Sequence, residues 1–332
     1  MSERFLELSL ERRRSFLDEA GIALKRSPMI LEKDIWVCWA LEVLFSLEQP
    51  AMVFKGGTSL SKVYKAIKRF SEDLDITFDH RSSGDALLDP IGASGNQRQK
   101  FAERMKQYTA ETVTTIIKPH FEQAASGVDV TEIEIAGDEQ EQLLVSFESI
   151  FPNNYVLPRI KLEFGAKNAI DPHEQHIIEP DVLNWQPASR LEFPRATVSV
   201  LSAERTFWEK ATLAHAEVTR RNHNENVERY SRHWYDLAQL VDCGIADRAL
   251  EDIQIRDSVI ETKSALFGVA GVDYSLVARG ECCLIDEALS AELARDYAEM
   301  REASMFDGEP PIWSEIANKI KTLETRINSS ID

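Results

Sequence analysis

One run constrains this chain more than any other: Met52-Val-Phe-Lys-Gly-Gly-Thr-Ser-Leu-Ser-Lys-Val-Tyr-Lys-Ala-Ile-Lys-Arg-Phe-Ser-Glu-Asp-Leu-Asp-Ile-Thr-Phe78. The apolar Met52, Val53 and Phe54 read as a buried strand. Gly56 and Gly57 let the backbone turn sharply and approach a ligand without Cβ interference. Thr58 or Ser59 can then cap a helix over residues 60–68, whose free N–H groups favour phosphate. Asp73 and Asp75 stand i, i+2, so on a strand both carboxylates face the same way. Two adjacent carboxylates repel unless a cation sits between them, and oxygen-only ligands suit Mg²⁺. A Gly-Gly turn or an Asp-x-Asp strand end is commonplace alone. In the order strand, Gly-Gly-Thr-Ser, helix, Asp-x-Asp strand, they describe a phosphate cradle beside a metal pair, the equipment of nucleotidyl transfer. The run is neither a Walker A loop nor a Gly-x-Gly-x-x-Gly fingerprint.

Around this unit, 332 residues leave room for one large or two medium domains, and an apolar fraction of 43 % suffices for a sizeable core. The net charge of −18 argues against a protein that coats nucleic acid non-specifically, though not against a local basic patch. Cys38, Cys243, Cys282 and Cys283 have no zinc spacing and fit structural thiols in a reducing cytoplasm. With no signal-like apolar segment and no run approaching a membrane span, the expectation is a cytoplasmic protein without a membrane partner.

The remaining chain is expected to run as follows. Helices cover 4–22 and 29–47, the second with Trp36 and Trp39 as core and with Glu32, Lys33 and Asp34 in its first turn, where carboxylates complement the macrodipole. Residues 79–96 read as an exposed loop and 97–125 as a long amphipathic helix with Arg98, Lys100, Arg104 and Lys106 on a solvated face. Strands are expected over 128–135, 143–150 and 156–165. In Arg159-Ile-Lys-Leu-Glu-Phe164, one face is apolar and the other wholly charged. Paired beside the Asp73 strand, this segment would let Glu163 complete a three-carboxylate metal cluster. Residues 166–200, with four prolines, read as irregular connecting structure between an α/β lobe at 1–200 and a helical lobe at 201–332. His173 and His176 stand at i, i+3, but in a Pro-rich loop that spacing carries little weight as a metal pair. In the helical part, Ser202 reads as an N-cap, a helix over 231–243 stops at Gly244, and further helices cover 246–268, 284–305 and 313–328. Lys210 and Asp236 border apolar faces. Read alone, Lys210 snorkels and Asp236 is a dipole partner or pairs with Arg232 four residues before it.

A resemblance draws these pieces together. Lys55-Gly-Gly-Thr-Ser-Leu-Ser-Lys62, Arg69-Phe-Ser-Glu-Asp-Leu-Asp-Ile76, Glu204-Arg-Thr-Phe-Trp-Glu-Lys210 and Arg232-His-Trp-Tyr-Asp-Leu237 resemble the AbiEii/AbiGii toxin family of nucleotidyltransferases. Glu32-Lys-Asp-Ile-Trp-Val37 and Phe306-Asp-Gly-Glu-Pro-Pro311 look like further family features. The resemblance implies an α+β fold, with a polymerase-β-like mixed sheet, flanking helices and a C-terminal helical lobe. It implies a toxin of a toxin–antitoxin or phage-defence system, with a cognate antitoxin as partner, that transfers nucleotides from an NTP to the acceptor end of tRNA and releases pyrophosphate. By the same resemblance Gly56, Gly57, Thr58, Ser59 and Lys62 bind the triphosphate, Asp73 and Asp75 bind Mg²⁺ (or Mn²⁺), and Lys210 and Asp236 are the remaining motif residues. Glu163 or Asp236 would be the third ligand or the base. The net charge sits poorly with a tRNA acceptor unless a local basic surface around 65–69, 98–106 or Arg220 and Arg221 handles it. Nucleotidylation of a protein or small molecule, or nucleotide binding without catalysis, remain as alternatives.

Overall fold

Alternating apolar residues in short runs build the first half of the structure, a computed structural model that describes residues 3–71, 73–83, 90–151, 157–221, 229–302 and 306–330. Residues 84–89 of the expected loop lie outside that set. The chain divides into two units: Met1–Val63, Phe70–Asp85 and Glu103–Val200 form the first, and Tyr64–Arg69, Ala86–Ala102 and Leu201–Asp332 the second.

The first unit carries a mixed sheet of β1 (Met52–Lys55), β2 (Asp73–Phe78), β3 (Val130–Ala136), β4 (Gln142–Phe147), β5 (Arg159–Gly165), β6 (His173–Ile178) and β7 (Ala196–Leu201), in the order β3-β4-β5-β2-β1-β7-β6. β1 runs antiparallel to β2 and parallel to β7; β2 is parallel to β5, and β5, β4 and β3 form an antiparallel meander. Leu74 and Ile76 are buried while Asp73 and Asp75 are half-buried on the opposite face, as the i, i+2 spacing dictates. Ile160, Leu162 and Phe164 repeat the pattern on β5.

Two strands form where the prolines point to irregular structure. β7 alternates, with Val198 and Val200 buried. β6 begins His-Glu-Gln-His and is largely exposed at the sheet edge, so no apolar signal marks it. Proline cannot donate to a ladder, and Pro172, Pro180, Pro187 and Pro194 all fall outside both strands.

Helices α1 (Leu10–Leu24), α2 (Pro28–Phe45) and α3 (Gly56–Lys62) belong to this unit. Trp36 of α2 stacks on Phe147 at 4.7 Å and meets Trp39 edge-on at 5.5 Å, which confirms the aromatic core reading. Glu32, Lys33 and Asp34 do not sit in the first turn. They are buried within α2, and each is satisfied by a different segment. Glu32 accepts from Ser149 Oγ (2.7 Å) and the Ile150 N–H (2.8 Å), and Lys33 Nζ donates to the Leu157 carbonyl (2.6 Å). Asp34 accepts from Lys62 Nζ and the Asp181 N–H, both at 2.6 Å. A buried charge needs such partners, so this polar trio pins α2 to three loops. The expected helix over 97–125 is present as α4 (Gly95–Thr112), a π-helical turn at Val113–Ile117, and α5 (Lys118–Ala124).

The second unit is helical: α6 (Ala203–Thr219), α7 (Ser231–Asp242), α8 (Ile245–Glu251), α9 (Ile253–Leu266), α10 (Ser275–Ala278), α11 (Glu287–Glu302) and α12 (Trp313–Ser329). Ser202 Oγ accepts from the Arg205 N–H and caps α6. Gly244 closes α7 at φ +76°, a left-handed conformation glycine adopts without strain. Trp208 and Trp234 are buried, and their indole N–H groups donate to the Ala249 and Leu284 carbonyls. Among the described residues no helix is long and apolar enough to cross a membrane.

Candidate active site

The geometry around the glycine turn is set by the β1–β2 register. Lys55 pairs with Asp75, so the residue after Lys55 meets the Asp75 side chain. That residue is Gly56, at φ +79°. A Cβ there would overlap Asp75 Oδ2 and lie 2.8 Å from its Cγ. The space beside Gly56 is therefore filled by the carboxylate itself.

The helix after the glycines differs from expectation. It begins at Gly56 with Lys55 as N-cap and ends at Lys62, and neither hydroxyl caps it. Both are turned inward and 0 % exposed. Thr58 Oγ1 donates to the Asp73 carbonyl (2.6 Å) and lies 3.0 Å from Ser71 Oγ, while Ser59 Oγ donates to the Gly56 carbonyl (2.9 Å). A hydroxyl that has given its proton to a carbonyl offers only lone pairs, which repel phosphate oxygens. Thr58 thus ties the glycine turn to the aspartate strand instead of touching a nucleotide through its side chain.

Lys62, expected on the triphosphate, is buried with Asp34 Oδ1 at 2.6 Å, the Glu179 carbonyl at 3.0 Å and Asp181 Oδ1 at 3.2 Å. Three acceptors match its three N–H donors. Burial pushes its pKa down, but Asp34, Cys38 and Asp181 more than offset this and hold it above the usual lysine value. Lys62 is an internal counter-charge rather than a phosphate ligand. Lys62→Met leaves Asp34 buried without a cation, so a loss of roughly 3–5 kcal/mol is expected. Urea unfolding measures it; an unchanged midpoint would remove the pair's structural role.

β5 does pair beside β2, in parallel, with Asp73 opposite Lys161 and Asp75 opposite Glu163. The Glu163 carboxylate, however, is engaged by Lys161 Nζ and approached by Gln142 Nε2 at 3.4 Å. Among the described residues no three His, Cys, Asp or Glu groups are gathered to hold a metal ion. The expected three-carboxylate cluster is not assembled, because a lysine two residues away on the same face takes Glu163. His173 and His176 likewise form no metal group: His173 Nδ1 lies 3.0 Å from the Ile170 carbonyl. Asp73 and Asp75 therefore carry the metal-binding reading. Their donor set fits Mg²⁺, which is often held by one or two carboxylates with water and substrate phosphates completing an octahedron.

Lys210 and Asp236 meet within the second unit. Asp236 is 0 % exposed, and its Oδ2 lies 2.9 Å from Lys210 Nζ. The bidentate partner, which sequence spacing does not reveal, is Arg69, with Nε on Oδ1 at 2.7 Å and Nη2 on Oδ2 at 2.8 Å. Burial pushes the Asp236 carboxyl up, but Arg69 and Lys210 together hold it well below the usual carboxylate range. Such a group is a poor base, and both its oxygens are engaged by cations. For Lys210, burial and the charges of Arg69 and Arg232 outweigh Asp236 and lower its pKa. His233 Nδ1 is 3.3 Å from Lys210 Nζ, and burial with Lys210 and Arg232 nearby keeps this imidazole neutral. Arg69 is thus not part of a basic surface at 65–69. Its clue in the sequence is its place at the head of the Arg69-Phe-Ser-Glu-Asp-Leu-Asp-Ile76 motif, next to the apolar Phe70. Two other basic candidates are also paired, Lys106 with Glu139 at 2.6 Å and Arg220 with Glu217 at 2.9 Å.

Over residues 39–319 the chain matches the family model described as nucleotidyl transferase AbiEii toxin of type IV toxin–antitoxin systems. Among solved structures, MenT4, a nucleotidyltransferase toxin from Mycobacterium tuberculosis H37Rv, aligns at 16% identity and a TM-score of 0.40, covering 96% of this chain and 98% of its own. JHP933 from Helicobacter pylori aligns at 15% identity and a TM-score of 0.43, covering 90% and 91%. No match is found among curated proteins.

Proposed function

The chain belongs to the AbiEii nucleotidyl transferase toxin family of type IV toxin–antitoxin systems, and from that premise we propose that it moves a nucleotide from an NTP to the acceptor end of tRNA with Mg²⁺ held by Asp73 and Asp75. An NTP substrate and an antitoxin partner come with the family. A terminal hydroxyl gives up its proton to solvent water as it attacks the α-phosphate in line; the new O–P bond forms as the bond from the α-phosphorus to the α,β-bridging oxygen breaks, and pyrophosphate leaves. The observation that carries this reading is the Asp75 carboxylate seated against Gly56, with Asp73 on the same strand face. When bound, the metal would offset charge on the attacked phosphate and lower the pKa of the hydroxyl. Thr58 holds the Asp73 backbone against the glycine turn, and Gly56 leaves room for the second carboxylate.

Nucleotidylation of a protein or small molecule is the second reading. The net charge of −18 and the pairing of Arg69, Lys106 and Arg220 favour it, since tRNA binding draws on unpaired surface cations. Purified protein with each labelled NTP, Mg²⁺ and total tRNA separates the two. Label on tRNA, lost on adding EDTA and in Asp73→Ala, is the expected result. Label on protein supports the second reading. Binding without transfer supports nucleotide binding without catalysis, and transfer that survives Asp73→Ala refutes the metal assignment.

A further inference from the structure

The geometry points to Lys55 as the cation that meets the nucleotide's triphosphate, in place of Lys62. The inference deepens the proposed transfer reaction and rests on Asp73 and Asp75 as its metal pair. Every residue it uses belongs to the first unit.

Register places Lys55. It stands opposite Asp75 in the antiparallel β1–β2 pair, and residues directly opposite share a face, with Cβ atoms about 5 Å apart. Lys55 is half-buried, as are Asp73 and Asp75, so its four-carbon stem starts beside the carboxylates on their own face of the sheet. Gly56 follows it, and the Asp75 carboxylate fills the space that a Cβ on Gly56 would need. The chain thus enters the glycine turn through a lysine set against the metal face.

The other side chains expected on phosphate are committed elsewhere. Lys62 is buried among Asp34, the Glu179 carbonyl and Asp181. Thr58 and Ser59 have given their protons to the Asp73 and Gly56 carbonyls. On the far side of β2, Lys161 stands opposite Asp73, but its ammonium is taken by Glu163. In Lys55-Gly-Gly-Thr-Ser-Leu-Ser-Lys62 the first lysine, not the last, is the one on the carboxylate face.

Charge explains why a cation belongs there. Without metal, Asp73 and Asp75 repel each other, and an ammonium opposite Asp75 offsets that repulsion. With Mg²⁺ bound, two carboxylates and one divalent ion sum to zero, and an arriving triphosphate brings negative charge that this set leaves uncompensated. The ammonium, now repelled by the metal, finds its acceptors in the phosphate oxygens. Lys55 therefore exchanges a carboxylate for a phosphate as the site fills. It opposes the metal alone and favours the nucleotide.

Two binding measurements on the full chain, made without any acceptor, test this. Mn²⁺ alone is titrated by electron paramagnetic resonance, and labelled ATP, CTP, GTP and UTP are followed by equilibrium dialysis at saturating Mn²⁺. Lys55→Met should bind Mn²⁺ several-fold more tightly, because a like charge has gone. It should bind the preferred nucleotide roughly 10–100-fold more weakly, the loss of one charge-assisted hydrogen bond. A purely structural lysine would weaken both or move neither. Lys55→Arg keeps the charge and should retain nucleotide binding; a loss as large as that of Lys55→Met overturns the inference. So does nucleotide binding that is unchanged in Lys55→Met, or weakened together with Mn²⁺ binding, and Lys55→Gln is measured instead if Lys55→Met does not fold. Asp75→Asn checks the reading beneath. Undiminished Mn²⁺ binding by that variant, or no nucleotide bound by the wild-type chain, sinks the reading itself. Lost Mn²⁺ binding in Asp75→Asn with unchanged nucleotide binding in Lys55→Met sinks only the role of Lys55.

Discussion

Gly56→Ala should lower nucleotide transfer by roughly 10²-fold or more while the protein still folds. Two effects separate cleanly. The left-handed backbone at φ +79° costs an L-residue about 1–2 kcal/mol, a tolerable loss for a domain of ordinary stability. The methyl group is a different matter, since it would occupy the volume of Asp75 Oδ2. The backbone cannot retreat, because Lys55, Phe54, Val53 and Met52 are registered against Asp75, Ile76, Thr77 and Phe78. The carboxylate must swing instead, and its alignment with Asp73 is lost with it. Asp75→Asn should reproduce the loss of transfer without the thermal penalty. If Gly56→Ala transferred label at the wild-type rate, the Asp75 carboxylate would have no part in the reaction.

What could be read from the chain alone follows a physical divide. Alternation on β2 and β5 is local, so the shared face of Asp73 and Asp75, and the pairing of Glu163 beside them, were open to inspection. The fate of Glu163 was not, since it depends on Lys161 closing on it. Glu32, Lys33 and Asp34 look like an exposed first turn because polarity normally marks a solvated surface. Their burial is possible only because Ser149, Leu157 and Lys62 arrive from distant segments. The same holds for Thr58 and Ser59, whose hydroxyls suit a helix cap until the Asp73 and Gly56 carbonyls are seen to take them. Near-neighbour logic offered Arg232 to Asp236; the fork comes from Arg69, 167 positions away. Periodicity reveals faces, but the partners of buried charges are a property of the tertiary fold.

Asp236→Asn should destabilise the protein by roughly 3–5 kcal/mol, because it leaves a guanidinium and an ammonium buried side by side. The pH dependence identifies the cause. In the wild-type protein Asp236 has a folded pKa below its unfolded value of about 3.9. Its stabilisation is present above that value and disappears as pH falls through the folded pKa, so the variant's deficit should narrow in acid. Lys210 acts at the other end. Its folded pKa is lowered, so between that value and the unfolded one near 10.4 the unfolded chain binds more protons and stability rises with pH. Without Asp236 that pKa falls further, and the buried ammonium can discharge sooner. Urea unfolding at about pH 2.5, 7 and 9.5 should therefore show the largest deficit near neutrality and a smaller one at either side. A deficit of constant size across that range would mean that Asn at this position disturbs packing alone, and that the Arg69–Asp236–Lys210 cluster is not held by charge.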